Sequence, residues 1–374
     1  MLEQQVLQHD SRRVSTFSVV LFLLFIFGRA FSQQEGGIRI ESKYSKLTAI
    51  DTNYIYKYNS RLVIGPCLSY RNYNIVLHPQ VAVDSVFIPN LKWRSPSNRF
   101  WGIDFSYDKF GFTFSFSSVA PKSEREEKGE SSSSSFGFTY GGNRCFVDAS
   151  VRTFQGFYEM NSMLYDSTLT SYYQSPSLSS VMLNIKVWYF TNHHKFAFKS
   201  AYGGLYRQLK SQMTFAFSGN LHTNTINTDS SIVPDPDKTY FDNVYQIKTV
   251  ACAGISIFAG VAANIIIKRS YFINLAYLAG PDFQGLSTYT NFSETPTTKY
   301  YTNYAHDIRF ATGFNMKNWY FTFTLSHDLN RFNNDLIIIS GRLNSYSLNL
   351  GYRFSVKEPK LYKKFQNTWL YSAF

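Results

Sequence analysis

Residues 101–116 read WGIDFSYDKFGFTFSF, and their alternation decides the fold. Trp101, Ile103, Phe105 and Tyr107 alternate with Gly102, Asp104 and Ser106; Phe110, Phe112, Phe114 and Phe116 alternate with Gly111, Thr113 and Ser115. Successive strand residues point to opposite faces, so a two-residue turn at Asp108-Lys109 pairs Tyr107 with Phe110, Phe105 with Phe112, Ile103 with Phe114 and Trp101 with Phe116. All eight large apolar side chains then share one face and the small and polar residues share the other. Asp-Lys is a weaker hairpin turn than Asp-Gly, so this register rests on pattern more than on turn chemistry.

Two further hairpins sort the same way. A turn at 268–270 pairs Ile267 with Tyr271, Ile265 with Ile273, Ala263 with Leu275 and Val261 with Tyr277, leaving Asn264 opposite Asn274 on the other face. A turn at 315–318 pairs Phe314 with Trp319, Thr312 with Phe321, Phe310 with Phe323 and Ile308 with Leu325. Residues 250–267 are almost continuously apolar, yet the even positions carry Cys252, Gly254, Ser256, Gly260 and Asn264. That period of two makes the stretch a strand rather than a membrane helix. The last strand alternates Tyr346, Leu348, Leu350, Tyr352 and Phe354 with Ser347, Asn349, Gly351 and Arg353.

Composition agrees. Phe (35) and Tyr (28) lift the aromatic share to 18%, while mean hydropathy is only −0.22. A chain rich in aromatics but polar on average suits a lipid-facing wall with a polar interior. The net charge of +12 is scattered, with no basic helix and no Cys/His finger spacing, so nucleic acid is not an expected partner. Cys67, Cys145 and Cys252 match no metal or redox spacing and read as small wall residues.

Residues 1–32 read as a signal peptide: Arg12-Arg13, an apolar run from Val14 to Phe27, and small residues at Ala30 and Ser32 before a mature start at Gln33. Residues 33–60 read as a periplasmic lead-in, 61–354 as the barrel and 355–374 as a C-terminal tail. Short connections fall near 108–109, 141–144, 191–195, 268–270 and 315–318. Long ones fall near 78–98, 118–135, 159–177, 281–304 and 328–341, and the charged, Ser-rich 120–135 reads as a mobile loop. The expectation is an all-β protein: a transmembrane antiparallel up-and-down β-barrel of about 12 strands, or 14 if residues 222–245 hide another pair, with short periplasmic turns, long extracellular loops and an outer-membrane location.

Several phrases resemble domain-of-unknown-function family 4421, which implies an outer-membrane barrel of Bacteroidota and no assigned activity. They are Asp51-Thr52-Asn53-Tyr54-Ile55, Tyr70-Arg71-Asn72-Tyr73-Asn74-Ile75, Ser95-Pro96-Ser97-Asn98, Phe154-Gln155-Gly156-Phe157-Tyr158 and Arg207-Gln208-Leu209-Lys210-Ser211.

For function, the expectation is a non-enzymatic structural or small-solute barrel. The alternatives are a surface-binding or adhesin barrel using its long loops, and an outer-membrane lipid-modifying enzyme. Ser326-His327-Asp328 spells a triad, but neighbours on a strand diverge, so no catalytic residue is assigned. His306 and His327 face each other across the third hairpin as rim residues, and no metal or cofactor is assigned. The inward face should carry Asp104, Asp148, Arg152, Lys186, Lys199, Arg309 and Arg353, with Lys186 opposite Lys199 if Tyr189 pairs with Phe196. That basic excess predicts either no conductance or a small, anion-selective one. Arg207, Gln208 and Lys210 fall near a loop crest, where they would meet lipid headgroups. Expected partners are outer-membrane lipid, lipopolysaccharide and the barrel-assembly machinery.

Overall fold

The protein is described by a computed structural model covering residues 49–79, 90–165, 169–235, 241, 245–290, 293–333, 337–368 and 371. The signal segment at 1–32 and most of the lead-in lie outside these residues. Among the described residues, thirteen strands form one antiparallel sheet. They are β2 (Arg61–Pro79), β3 (Leu91–Arg94), β4 (Arg99–Tyr107), β5 (Phe110–Ser117), β6 (Ser132–Gly141), β7 (Cys145–Glu159), β8 (Gln174–Phe190), β10 (Gln212–Asn227), β11 (Ile247–Ile267), β12 (Tyr271–Thr290), β13 (Ser293–Asn315), β14 (Trp319–Asn333) and β15 (Ile337–Ser355). β15 pairs with β2, so all of them except β3 close a ring of 12 strands. β1 (Ile55–Lys57) and β9 (Tyr206–Gln208) form a separate pair.

The registers read at 101–116 and 261–277 are those of the barrel: Trp101 faces Phe116, Asp104 faces Thr113, and Val261 faces Tyr277. The third hairpin differs by two residues. Phe314 pairs with Phe321, Thr312 with Phe323, Phe310 with Leu325 and Ile308 with His327. A shift of two preserves which face each residue takes, so alternation alone could not detect it. The longer turn lets Arg353 reach the carbonyls of Met316 (2.6 Å) and Trp319 (3.2 Å) with its guanidinium.

Outward positions carry the apolar residues. Trp101, Phe112, Phe114 and Phe116 on β4 and β5, and Leu348, Leu350 and Phe354 on β15, are exposed. Inward positions on the same strands are smaller or polar apart from Phe100 and Leu343, which are buried in the bore. The outward band ends in aromatic residues at both borders: Trp319, Tyr352 and Phe354 pack together at one, and Tyr277, His306 and His327 stack at the other.

Where long loops were expected, pairing continues instead. β12 and β13 run past the outward band to Thr290 and Ser293, and β3 forms inside the 78–98 segment. Beyond the band no apolar solvent selects every second residue, so these extensions lose the alternation while keeping their backbone ladder. The 120–135 segment is partly ordered too, as helix α1 (Lys122–Lys128) followed by the start of β6. A second short helix, α2 (Ser162–Tyr165), follows β7. β3 joins β2 directly to β7 above the short β4–β6 strands. The strand switch needs a bulge between Gln155 and Phe157. Gly156 sits there at φ +79°, and a Cβ would meet the Glu130 carbonyl oxygen at 2.1 Å, so only glycine fits.

Candidate functional site

The inward face of the barrel is the candidate site, and it has three layers. The layer at the turn end was not legible as such. A short turn was expected at 191–195, with a strand resuming at Phe196, but β8 stops at Phe190 and β10 starts only at Gln212. The chain instead folds back into the bore through helix α3 (Lys199–Tyr202) and β9. Phe196 and Phe198 are buried against the inward residues Phe146, Trp188, Phe190 and Ala216, and Ala197 is buried with Ile55, Val63 and Tyr320. The plug's backbone is satisfied by wall amides. Asn264 donates to the Ala197 carbonyl (2.9 Å), and Asn315 donates to those of Ser200 (3.0 Å) and Tyr206 (2.9 Å).

Three expectations change with the plug. Tyr189 pairs with Phe217 and Cys145, not Phe196, so Lys186 and Lys199 are not opposed. Lys199 lies on α3, donates to the Gly141 carbonyl at 2.9 Å, and burial pushes its pKa down to about 8. Arg207 and Gln208 lie on β9 at the turn end, not at a loop crest. Arg207 donates to the Arg269 carbonyl at 2.8 Å. Buried Gln208 accepts from the Ala197 amide (2.7 Å) and donates to the carbonyls of Lys195 (2.6 Å) and Lys210 (3.0 Å). The reason is common to all three: backbone leaving a membrane strand can satisfy itself inside a polar bore as well as in water.

The middle layer holds the charges. Lys186 donates to Asp307, and Arg309 bonds the same carboxylate at 3.2 Å and Asp148 at 3.5 Å. The Arg309 guanidinium also lies 4.8 Å from the centre of the Trp188 ring. Beside this network a cavity of about 40 Å³ is lined by Arg152, Lys186, Asn220, His222, Ser256, Asp282 and Asp307, among others. That is room for about three waters. Ser256 donates to Asp282 at 2.9 Å, Gln284 donates to the other oxygen at 2.5 Å, and His222 Nε2 stands 3.7 Å from the carboxylate. His222 Nε2 and Asn220 Oδ1 have no hydrogen-bond partner among the described residues. Asp104 and Arg152 lie at inward positions of β4 and β7. Arg71, on the inward face of β2, bonds Ser115 (3.0 Å) and Ser135 (2.7 Å) and stacks on Phe100.

The basic excess read from the sequence disappears. Lys199 and Arg353 belong to the turn end, where carbonyl oxygens hold them. Four mid-bore bases (Arg71, Arg152, Lys186, Arg309) then meet four acids (Asp104, Asp148, Asp282, Asp307). Sequence reasoning missed Asp282 because it fell in a segment taken for loop, and it left Asp307 out of the inward charges although Asp307 shares the face of Arg309. Its clearest available signal was the inward parity of Asn220, His222 and Asn224 on β10.

The third layer closes the loop end. Tyr73, Trp93, Phe154, Phe157, Leu178 and Ile226 are buried together with Ile232, Val233 and Phe241 from the 228–246 connection. Trp93 Nε1 donates to the Ile232 carbonyl at 2.9 Å. The described residues of that connection therefore form a cap, and the ring described has 12 strands.

A family model described as domain of unknown function (DUF4421) matches residues 49–354. The chain belongs to the DUF4421 family. The DUF4421 region thus spans the barrel, plug and cap, and ends one residue before β15 does. No curated protein matches the sequence. Among solved structures, the outer membrane protease OmpT of Escherichia coli aligns over 80% of this chain and 98% of its own, at 7% identity and TM-score 0.35. The toluene transporter TodX of Pseudomonas putida aligns over 79% and 91%, at 8% identity and TM-score 0.27. An outer membrane channel from Pseudomonas putida F1 aligns over 81% and 99%, at 9% identity and TM-score 0.30. Likeness at this level assigns no activity to the DUF4421 chain.

Proposed function

We propose that this protein is an outer-membrane barrel that works without enzymatic chemistry, as a structural or small-solute barrel whose bore is closed at rest. The outward apolar band with aromatic borders supports insertion in a bilayer, the short turns facing the periplasm and the extended hairpins facing outside. The observation that carries the closed state is the plug: Phe196 and Phe198 are buried across the bore, and the apolar cap closes the other end. Between them lies a small polar chamber whose charges are mutually balanced.

Two arrangements bear on catalysis, and neither forms a relay. Ser326 and His327 are adjacent on β14 and take opposite faces, and His327 Nδ1 bonds Asn344 at 2.6 Å. Ser256 bonds the Asp282 carboxylate directly, whereas a relay needs the imidazole between serine and carboxylate. The surface-binding alternative draws support from the extended β12–β13 hairpin, which leaves Tyr300 and Tyr304 highly exposed on its outer side.

Planar-bilayer recording tests the closed bore. The wild-type protein should show no steady conductance, and Phe196→Ser with Phe198→Ser should admit small ions without strong charge preference. A steady, porin-like conductance from the wild type would overturn the closed reading.

A further inference from the structure

The tail beyond β15 lies outside the family match and is not used by the bore. Residues 355–374 carry four lysines (Lys357, Lys360, Lys363, Lys364) against one glutamate, Glu358. Helix α4 (Lys360–Gln366) is amphipathic: Tyr362 and Phe365, three apart, face the barrel, while Lys360, Lys363 and Lys364 are exposed. Its docking site is on the outside of the wall. Tyr107, Phe110 and Tyr140 occupy outward positions of β4, β5 and β6, yet Tyr140 is only 7% exposed, because the tail covers it. Tyr362 packs edge-on against Tyr107 at 4.9 Å, and Phe365 lies 5.5 Å from Phe110 and 6.2 Å from Tyr140.

The tail is held by the β4–β5 turn. Tyr362 and Tyr371 both donate to Asp108, at 2.7 and 2.5 Å, and Lys57 of β1 pairs with the same carboxylate at 2.6 Å. Lys109 donates to the Tyr371 carbonyl. Glu358 is occupied by the Ser60 hydroxyl at 3.0 Å. The exposed face of α4 therefore presents three ammonium groups at the border of the apolar band, where headgroups lie.

We propose that this face is a binding site for anionic phospholipid headgroups of the leaflet at the turn end. The inference rests on the bilayer reading above. A helix with aromatics clamped to the wall and lysines directed outward holds its cations at headgroup depth, and each such cation is worth roughly fivefold in binding to an anionic surface. Native mass spectrometry of the full-length protein, titrated with phosphatidylglycerol and with phosphatidylcholine of the same acyl chains, tests it. The wild type should retain phosphatidylglycerol preferentially, and the triple change Lys360→Gln, Lys363→Gln, Lys364→Gln should lower that preference about tenfold or more. All three side chains are exposed, so the barrel's thermal transition should not move. Equal retention of both lipids by the wild type, or an unchanged preference in the triple variant, overturns the proposal. If the wild type retained neither lipid, the bilayer reading would fail, and this inference with it.

Discussion

The outer wall and the bore are two faces of the same strands, built on opposite rules. The outer face meets one uniform surrounding, so each outward position faces the same demand and alternation repeats from strand to strand. The inner face has no such solvent. Lys186 is neutralised by Asp307, 121 residues away, and the plug is held by amides from β11 and β13. Wall positions are thus chosen locally and bore positions by distant partners. Substitutions on the two faces should fail for different reasons.

The largest expected effect is in the bore. Asp307→Ala leaves Lys186 and Arg309 buried without their shared carboxylate and should cost about 3–5 kcal/mol, read from the thermal transition in detergent. The double change Lys186→Met, Asp307→Leu should recover most of that loss, because it removes the stranded charge as well. If the double variant were as unstable as the single one, the network would matter for its shape and not for its charge balance.

On the wall, Phe114→Arg places a cation in the apolar band and should cost about 2–4 kcal/mol in folding into lipid. Thr113→Arg, one residue away but inward, falls directly opposite Asp104 and should cost much less. Equal costs would erase the distinction between the two faces.

The smallest effect sharpens the border between wall and water. Burial acts to raise the pKa of Asp108, but Lys57 and the hydroxyls of Tyr371 and Tyr362 outweigh it and hold the carboxyl below its ordinary 3.8. A depressed pKa means the clamp's contribution is complete above about pH 4 and fades as pH falls through the lower folded value. Protease sensitivity of the tail should therefore rise only in that acid range. Asp108→Asn should loosen the tail at neutral pH and abolish the acid step. An unchanged acid step in that variant would assign the transition to another group.

Legibility follows the same division. The registers at 101–116 and 261–277 were readable because each hairpin brings its partners within a few residues, and parity does the rest. The register at 308–325 came out two residues off because a shift of two leaves parity intact, and only the longer turn beneath Arg353 separates the alternatives. The His306–His327 pair is consequently diagonal rather than directly opposed, although the rings still stack at 5.8 Å.

By itself, then, the sequence determined the barrel, a count of 12 or 14 strands and which residues of its clear hairpins face outward, since lipid selects every second side chain along each strand. Tertiary structure alone decided what fills the bore. Residues 196–210 look like the start of another strand until their carbonyls are seen to meet Asn264 and Asn315. Asp282 looks like loop until β12 carries it to His222. The charges balance only once Lys186, Arg309, Asp148 and Asp307 come together from three strands. An inward side chain needs only a complementary neighbour, and any strand of a closed ring can supply it, so no local pattern marks the choice.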